Sequence, residues 1–332
     1  VKNIREIGFV TGETSPNRTS SQWGVGGTDL GVLFGNGPYY MAFGDTFSSE
    51  GDFSAGWRSN VLAVLDDTDP SDGLTFARMI DGGVPDFASE IVPSLKRDND
   101  EITVVPTGGF QIGSTLYLHF MSIRHWGETS GWECNFGGIW KSTDQGETWS
   151  ALPQLRWPGD SGFVQAAPLV VGDLVYFWCI PSGRSGALSL MRVPVDSVED
   201  IDAYEYFQGS APDGSPLYAT GEAAMRSAGI VAEAGVSEPS VVFNDYLDQY
   251  LLVYLLEGFG IVAQSSDTPE GPFEATVLVL SDDNYPYLYG GFMHPALVAD
   301  GGRRIFFTLS QWLPTYNVRW MEVELVKREA SG

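Results

Sequence analysis

The sequence predicts an all-β protein: a five-bladed β-propeller, a single domain over residues 1–332 with a cleft on one face at the central axis. Three observations predict it. A strand, turn, strand, strand unit recurs five times along the chain, long stretches of helical period are absent, and one turn has the residue pattern of a propeller Asp-box. At 332 residues, with 43% hydrophobic and 13% aromatic residues, 40 Gly and 19 Pro, the chain is turn-rich and has ample material for a core. Propellers and barrels run past the usual domain length as single units.

The units start at Thr28, Pro106, Ala167, Glu238 and His294. Each opens on a short polar or Pro step, continues as an apolar strand, turns through Gly, Asp or Asn, and returns as a more aromatic strand; the first reads TDLGVLFGNGPYYMAFGDTF. A further strand-like run follows each pair: RSNVLAVLDD, FGGIWKST, ALSLMRVP, GIVAQSSD and VRWMEVELV. EAAMRSAGIVAEA, near 222 to 234, reads as one or two helical turns inserted before the fourth unit.

STDQGETW (142 to 149) fits the Asp-box pattern S-x-D-x-G-x-x-W, a tight turn between outer strands, and SSDTPEGPF (265 to 273) stands at the equivalent place in the fourth unit. Such turns are structural. Cys134 and Cys179 fall in different units and read as buried free thiols. The acidic run DDTDPSD (66 to 72) lacks the spaced ligands of a calcium loop and reads as a solvated turn.

The formal charge of −25 argues against nucleic acid and anionic membrane surfaces as partners, since phosphates are bound by Lys and Arg. No apolar run approaches the ~20 residues that span a bilayer. A start at Val1, without a basic and apolar leader, suits a processed, secreted protein or a trimmed chain. The expected state is a monomer.

Propeller topology turns sequence position into spatial position. The first residue of an inner strand and the last of its returning neighbour share one rim, because neighbouring strands are antiparallel and about 4.8 Å apart. In the first unit those residues are Asp29 and Asp45. Two registers are open: a two-residue turn at Asn36 and Gly37 opposes Asp29 with Gly44, and a three-residue loop ending at Pro38 opposes it with Asp45. The same rule gathers Gln165, Glu238 and His294 at strand starts, and Arg124, His125, Trp126, Arg184, Glu257, Gln311 and Trp312 just after second strands, with Arg58 and Asn60 returning beside them.

Carboxylates, aromatic rings and amide or guanidinium donors around one cleft suit glycoside hydrolysis. One carboxyl must carry a proton to the leaving oxygen while another activates water or attacks C1. No Ser-His-Asp elbow, phosphate-cradling glycine loop or string of metal ligands is found in the sequence. Asp29 and Asp45 are the expected catalytic pair and Glu238 a possible third carboxylate. Arg58, Asn60, His125, Trp126, Gln165, His294, Gln311 and Trp312 are expected to bind substrate. No cofactor is required and no metal site is predicted, with a structural calcium near His294 left open.

QWGVGGTDLG (22 to 31) followed by FGDTF (43 to 47) resembles the opening of the family catalogued as domain of unknown function 4185, whose characterised members are the endo-D-arabinanases of glycoside hydrolase family 183. The likeness in length and five-blade layout spans the chain, while its specific motifs lie in the first unit. The resemblance implies an endo-acting hydrolase of α-D-arabinofuranosyl linkages in the D-arabinan of mycobacterial arabinogalactan and lipoarabinomannan, with inversion at the anomeric carbon. It implies that Asp29 and Asp45 are the catalytic residues, assigned provisionally as base and acid. The alternatives are another propeller glycosidase, exo-acting on furanosides or sialidase-like with Arg58, Arg124 and Arg184 around a carboxylate, or a carbohydrate-binding propeller without catalysis.

Overall fold

The structure, a computed structural model, describes residues 1–67, 69–127 and 131–327. It is a nearly all-β propeller. A first strand, β1 (Lys2–Phe9), precedes a short helix α1 (Thr19–Trp23). The first antiparallel sheet is β2 (Leu30–Phe34), β3 (Tyr39–Phe43), β4 (Val61–Leu65) and β5 (Phe76–Met79), and the second is β6 (Thr103–Ile112), β7 (Thr115–Trp126), β8 (Trp132–Ser142) and β9 (Ser150–Pro158).

A nine-stranded sheet follows. It holds β10 (Gln165–Val171), β11 (Leu174–Ile180), β12 (Gly186–Pro194), β13 (Glu205–Ser210) and β14 (Pro216–Thr220), then, beyond helix α2 (Gly221–Arg226), β15 (Ile230–Asn244), β16 (Gln249–Leu256), β17 (Gly260–Ser266) and β18 (Glu274–Ser281). The long β15 joins its halves: its first part pairs with β12 and its second with β16. The last sheet is β19 (Leu288–Tyr289), β20 (Met293–Ala299), β21 (Arg304–Gln311) and β22 (Val318–Glu324), with β1 added outside β22.

Strands β2, β6, β10, β15 and β20 touch one another in a closed ring around the axis. Each opens one of the five sequence units. Every residue of β2 and β4 is buried, because these strands have a packed sheet on both faces. The outer β9 instead is mostly exposed, with Leu152, Leu155 and Trp157 buried.

The Asp-box turn joins β8 to β9, as its sequence implies. Asp144 accepts from the Thr148 amide at 3.0 Å and the Thr148 hydroxyl at 2.6 Å, Ser142 Oγ accepts from the Gly146 amide, and the Trp149 indole donates to the Gly146 carbonyl. The segment 265 to 273 likewise leads from β17 to β18. Both cysteines are free; Cys179 is buried as expected, whereas Cys134 is only partly so. Helix α2 takes up only the first part of the helical expectation, and the rest enters β15. Thr68, in the acidic run, lies outside the described residues. No helix among those described is long and apolar enough to cross a membrane.

Candidate active site

The hairpin of β2 and β3 decides where the first aspartates go. Its loop pairs Phe34 with Tyr40, Leu33 with Met41 and Val32 with Ala42, a register that would carry straight on to oppose Asp29 with Asp45. A β-bulge intervenes between Leu30 and Val32 and shifts the pairing by one residue, so Leu30 meets Phe43 and the Gly44 amide donates to the Asp29 carbonyl at 3.3 Å. Leu30 and Gly31 both have positive φ, 66° and 75°, which is costly for a leucine. Bulges re-aim side chains in this way beside functional sites. The Asp29 side chain then lies over Gly44, where any Cβ would come within 2.3 Å of its Oδ1.

Both aspartates line one cavity of about 680 Å³. Its floor is the inner ring, represented by Leu30, Pro106, Thr107, Gln165, Pro239 and Phe292. Two aromatic walls rise from it. On one side Trp126, 40% exposed, meets Trp132 edge to face; on the other Trp312, 48% exposed, stacks on Phe53 at 4.8 Å beside the exposed Tyr287. Exposed aromatic faces of this kind pack well on the C–H surfaces of sugars.

The two carboxyls have unlike partners. Asp45 Oδ1 accepts from the Trp57 indole at 2.8 Å and from the Thr103 hydroxyl at 2.6 Å. Asp29 Oδ2 accepts from the Tyr289 hydroxyl at 2.9 Å, while its Oδ1 is buried with no partner. Burial and then repulsion from Asp45, with a smaller push from Glu238, raise the Asp29 carboxyl to about 7 against the pull of the Tyr289 and Tyr316 hydroxyls. Burial raises Asp45 less, to about 6, because Thr103, Trp57 and the positive Lys96 favour its charged form. Lys96 holds its ammonium over the Trp57 ring and pairs with Glu90.

Glu238 is the third carboxylate of the cavity. It sits at a second β-bulge, between Ser237 and Ser240, with φ at 50°. Its Oε1 accepts from Arg184 at 3.2 Å and its Oε2 from the Gly290 amide at 2.7 Å.

Of the residues expected at the site or on its rim, Asp29, Asp45, Glu238, Trp126, Gln165, Arg184 and Trp312 line the cavity. Gln165 gives its amide nitrogen to the carbonyls of Pro181 and Gly183. The others are elsewhere. Arg58 is buried and donates to the carbonyls of Gly24, Gly56 and Ala88, and Asn60 ties the chain near Val92 to Val104. His125 pairs with Asp98, and Gln311 donates to Pro286 O and accepts from Arg319. His294 bonds the Gly35 carbonyl and faces a smaller cavity of about 140 Å³ beyond Thr107, Pro239 and Phe292, the residues shared by both cavities.

Trp57, one residue before Arg58, is the side chain that reaches the cavity in their place. Tyr289 and Tyr316 were missed because they arrive on irregular segments, NYPYLYGGF and LPTYN, whose course no periodicity reveals. Among the described residues no group of three or more His, Cys, Asp or Glu could hold a metal ion.

The "Notoamide biosynthesis cluster protein J" of Aspergillus sp. (strain MF297-2) is 27% identical over 90% of this chain and 82% of its own length. A candidate hydrolase from Bacteroides ovatus has the same fold with a TM-score of 0.65 at 12% identity, over 92% of this chain and 87% of that one. The GH43_1 enzyme of Xanthomonas citri, solved with xylotriose, gives a TM-score of 0.51 at 14% identity, over 91% and 88%. The chain belongs to the family described as domain of unknown function DUF4185, matched over residues 14–322.

Proposed function

From that membership and the unlike surroundings of two neighbouring aspartates, we propose that the protein is a glycoside hydrolase, an endo-D-arabinanase acting on α-D-arabinofuranosyl linkages of mycobacterial D-arabinan. On this reading the whole chain is one five-bladed domain, the nine-stranded sheet counting as two blades joined through β15. The protein is a secreted monomer.

The observation that carries the reading is the split between the carboxyls. Asp29, pushed up to about 7, has one buried oxygen without a partner, and a neutral acid tolerates that far better than an anion. Asp45, at about 6, accepts two hydrogen bonds that suit an anion. Asp29 is therefore the general acid and Asp45 the base, the reverse of the provisional sequence assignment. Asp29 gives its proton to the glycosidic oxygen as the C1–O bond breaks. A water attacks C1 from the opposite face and its proton goes to Asp45, so the configuration inverts.

The similarity of the fold to a GH43_1 enzyme crystallised with xylotriose supports a carbohydrate reading. A sialidase-like site is disfavoured by the engagement of its three arginines: Arg58 with backbone carbonyls, Arg124 with Glu133 and Arg184 with Glu238. The test is incubation with mycobacterial arabinogalactan, following product size and first-formed anomer by NMR. Oligosaccharides of inverted configuration are expected. No release from arabinan, together with release from another glycan, would reject the substrate assignment.

A further inference from the structure

Glu238 is the obvious rival to Asp29 as proton donor, being a carboxylate in the same cavity. Its surroundings contradict that role. Both oxygens are engaged, one by the Arg184 guanidinium and the other by the Gly290 amide, and the side chain is buried. A proton donor needs an oxygen free to face the leaving group, and both oxygens of Glu238 already accept from an N–H.

We propose that Glu238 is a positioning residue: through the Gly290 amide it anchors Tyr289, so that the Tyr289 hydroxyl holds Asp29 in place. This rests on the reading of Asp29 as the acid. The segment that carries Tyr289 has little regular structure to fix it. Strand β19 is two residues long, preceded by Tyr287 at φ 60° and followed by Gly290 and Gly291 at 87° and 122°. Its ladder partners are Gln311 and Ser310, on one side only. The Glu238 bond to Gly290 is the hold from the inner ring. Arg184 closes the loop, since its guanidinium pairs with Glu238 and lies 5.3 Å from the centre of the Tyr289 ring. Asp29, Tyr289, Gly290, Glu238 and Arg184 thus form one connected clamp.

Two effects of Glu238 on Asp29 oppose each other, which makes the clamp testable without turnover. Asp29 is faced by Asp45 and Glu238, which raise its carboxyl, and by the Tyr289 and Tyr316 hydroxyls, which lower it; the Tyr289 bond outweighs the Glu238 charge. A bare charge and an anchor therefore give opposite signs. The experiment is the titration of the Asp29 carboxyl by carbon NMR in the full chain, with thermal melts to confirm folding.

E238A is expected to raise the midpoint by up to about one pH unit, the equivalent of one hydrogen bond, as Y289F does. The double variant E238A/Y289F should go no higher than Y289F alone. E238Q, which keeps an acceptor for the Gly290 amide and removes the charge, should lower it. A fall with both E238A and E238Q would overturn the anchor, leaving Glu238 as a charge only. Kinetics adds a second arm, using an aryl arabinofuranoside with a good leaving group beside the polymer. Positioning predicts that E238Q, which keeps the anchor, stays within a few-fold of wild type on both substrates, while E238A loses mainly on the polymer, where the displaced acid Asp29 is needed. A loss of ~10³-fold on the polymer in E238Q itself, recovered on the aryl substrate, would make Glu238 the acid. Wild type inactive on both would count against the arabinanase reading, and the titration would still judge the clamp.

Discussion

Asp144 and Asp29 are the same residue type placed at opposite extremes of this molecule, the outer turn of one sheet and the inner wall of the cavity. Asp144 is exposed, with its oxygens served by the hydroxyls of Ser142 and Thr148 and the Thr148 amide, and these bonds hold its carboxyl below the ordinary range. Asp29 is enclosed, with one oxygen unpartnered and a second carboxylate nearby, and its carboxyl is pushed up to about 7. The outer turn is arranged to satisfy an anion and the inner wall to discourage one. A carboxylate that adds to the stability of the fold and one kept ready to hold a proton are thus told apart by their partners.

The sharpest way to break the contrast is to neutralise each residue and read both activity and melting. D29N and D45N should each lower turnover on arabinan by roughly 10³-fold, the scale of a lost acid or base. D29N should also melt no lower than wild type at pH 7. The sign follows from linkage: a carboxyl raised in the folded state keeps its proton while the unfolded chain releases its own, so stability falls between about pH 4 and pH 7. Removing Asp29 should flatten that fall, recovering roughly 1–3 kcal/mol above pH 7.

Gly44 offers the next largest effect. G44A places a Cβ against Asp29 Oδ1, and a displaced acid should lose about 10²-fold in turnover, while overpacking costs about 1–3 kcal/mol. The pH profile sharpens the assignment of roles. With Asp45 ionising near 6 and Asp29 near 7, kcat/KM should trace a narrow bell between those values, the acidic limb belonging to Asp45 and the basic limb to Asp29. A basic limb that survives in D29N would reject Asp29 as the acid.

At the outer turn the effects reverse. D144A should leave turnover unchanged and lower stability by about 1 kcal/mol, the worth of the lost turn bonds. The depressed carboxyl of Asp144 contributes stability above its unfolded value, and that contribution disappears as pH falls through the folded one. The smallest effect is expected from W126A, a KM raised a few-fold with kcat unchanged, as one stacking face is removed.

Much of this was legible because strands advertise themselves. Alternation and turn residues located the first three strands of every unit, and the spacing of Ser142, Asp144, Gly146 and Trp149 located a turn whose bonds are local. Asp29 and Asp45 could be assigned to one rim, since topology alone puts them there. Their register was not legible. The loop fixes one pairing, and a bulge at Leu30 and Gly31, stabilised by packing against the last sheet, replaces it with another. Side chains that depend on a one-residue shift, such as Trp57 against Arg58, or on irregular loops, such as Tyr289 and Tyr316, were beyond reach for the same reason: nothing periodic constrains them.

The pairing of β1 with β22 has a consequence for how the molecule comes into being. Lys2 lies opposite Glu324, so β1 has no partner in the sheet until a segment far later in the chain has been made. Until then the outer edge of β22 and the apolar side of residues 2 to 9 are both unsatisfied. Closure by this last zipper should be a late, slow event in refolding, and a peptide matching residues 1 to 10 should compete for the vacant edge if added while it is still open.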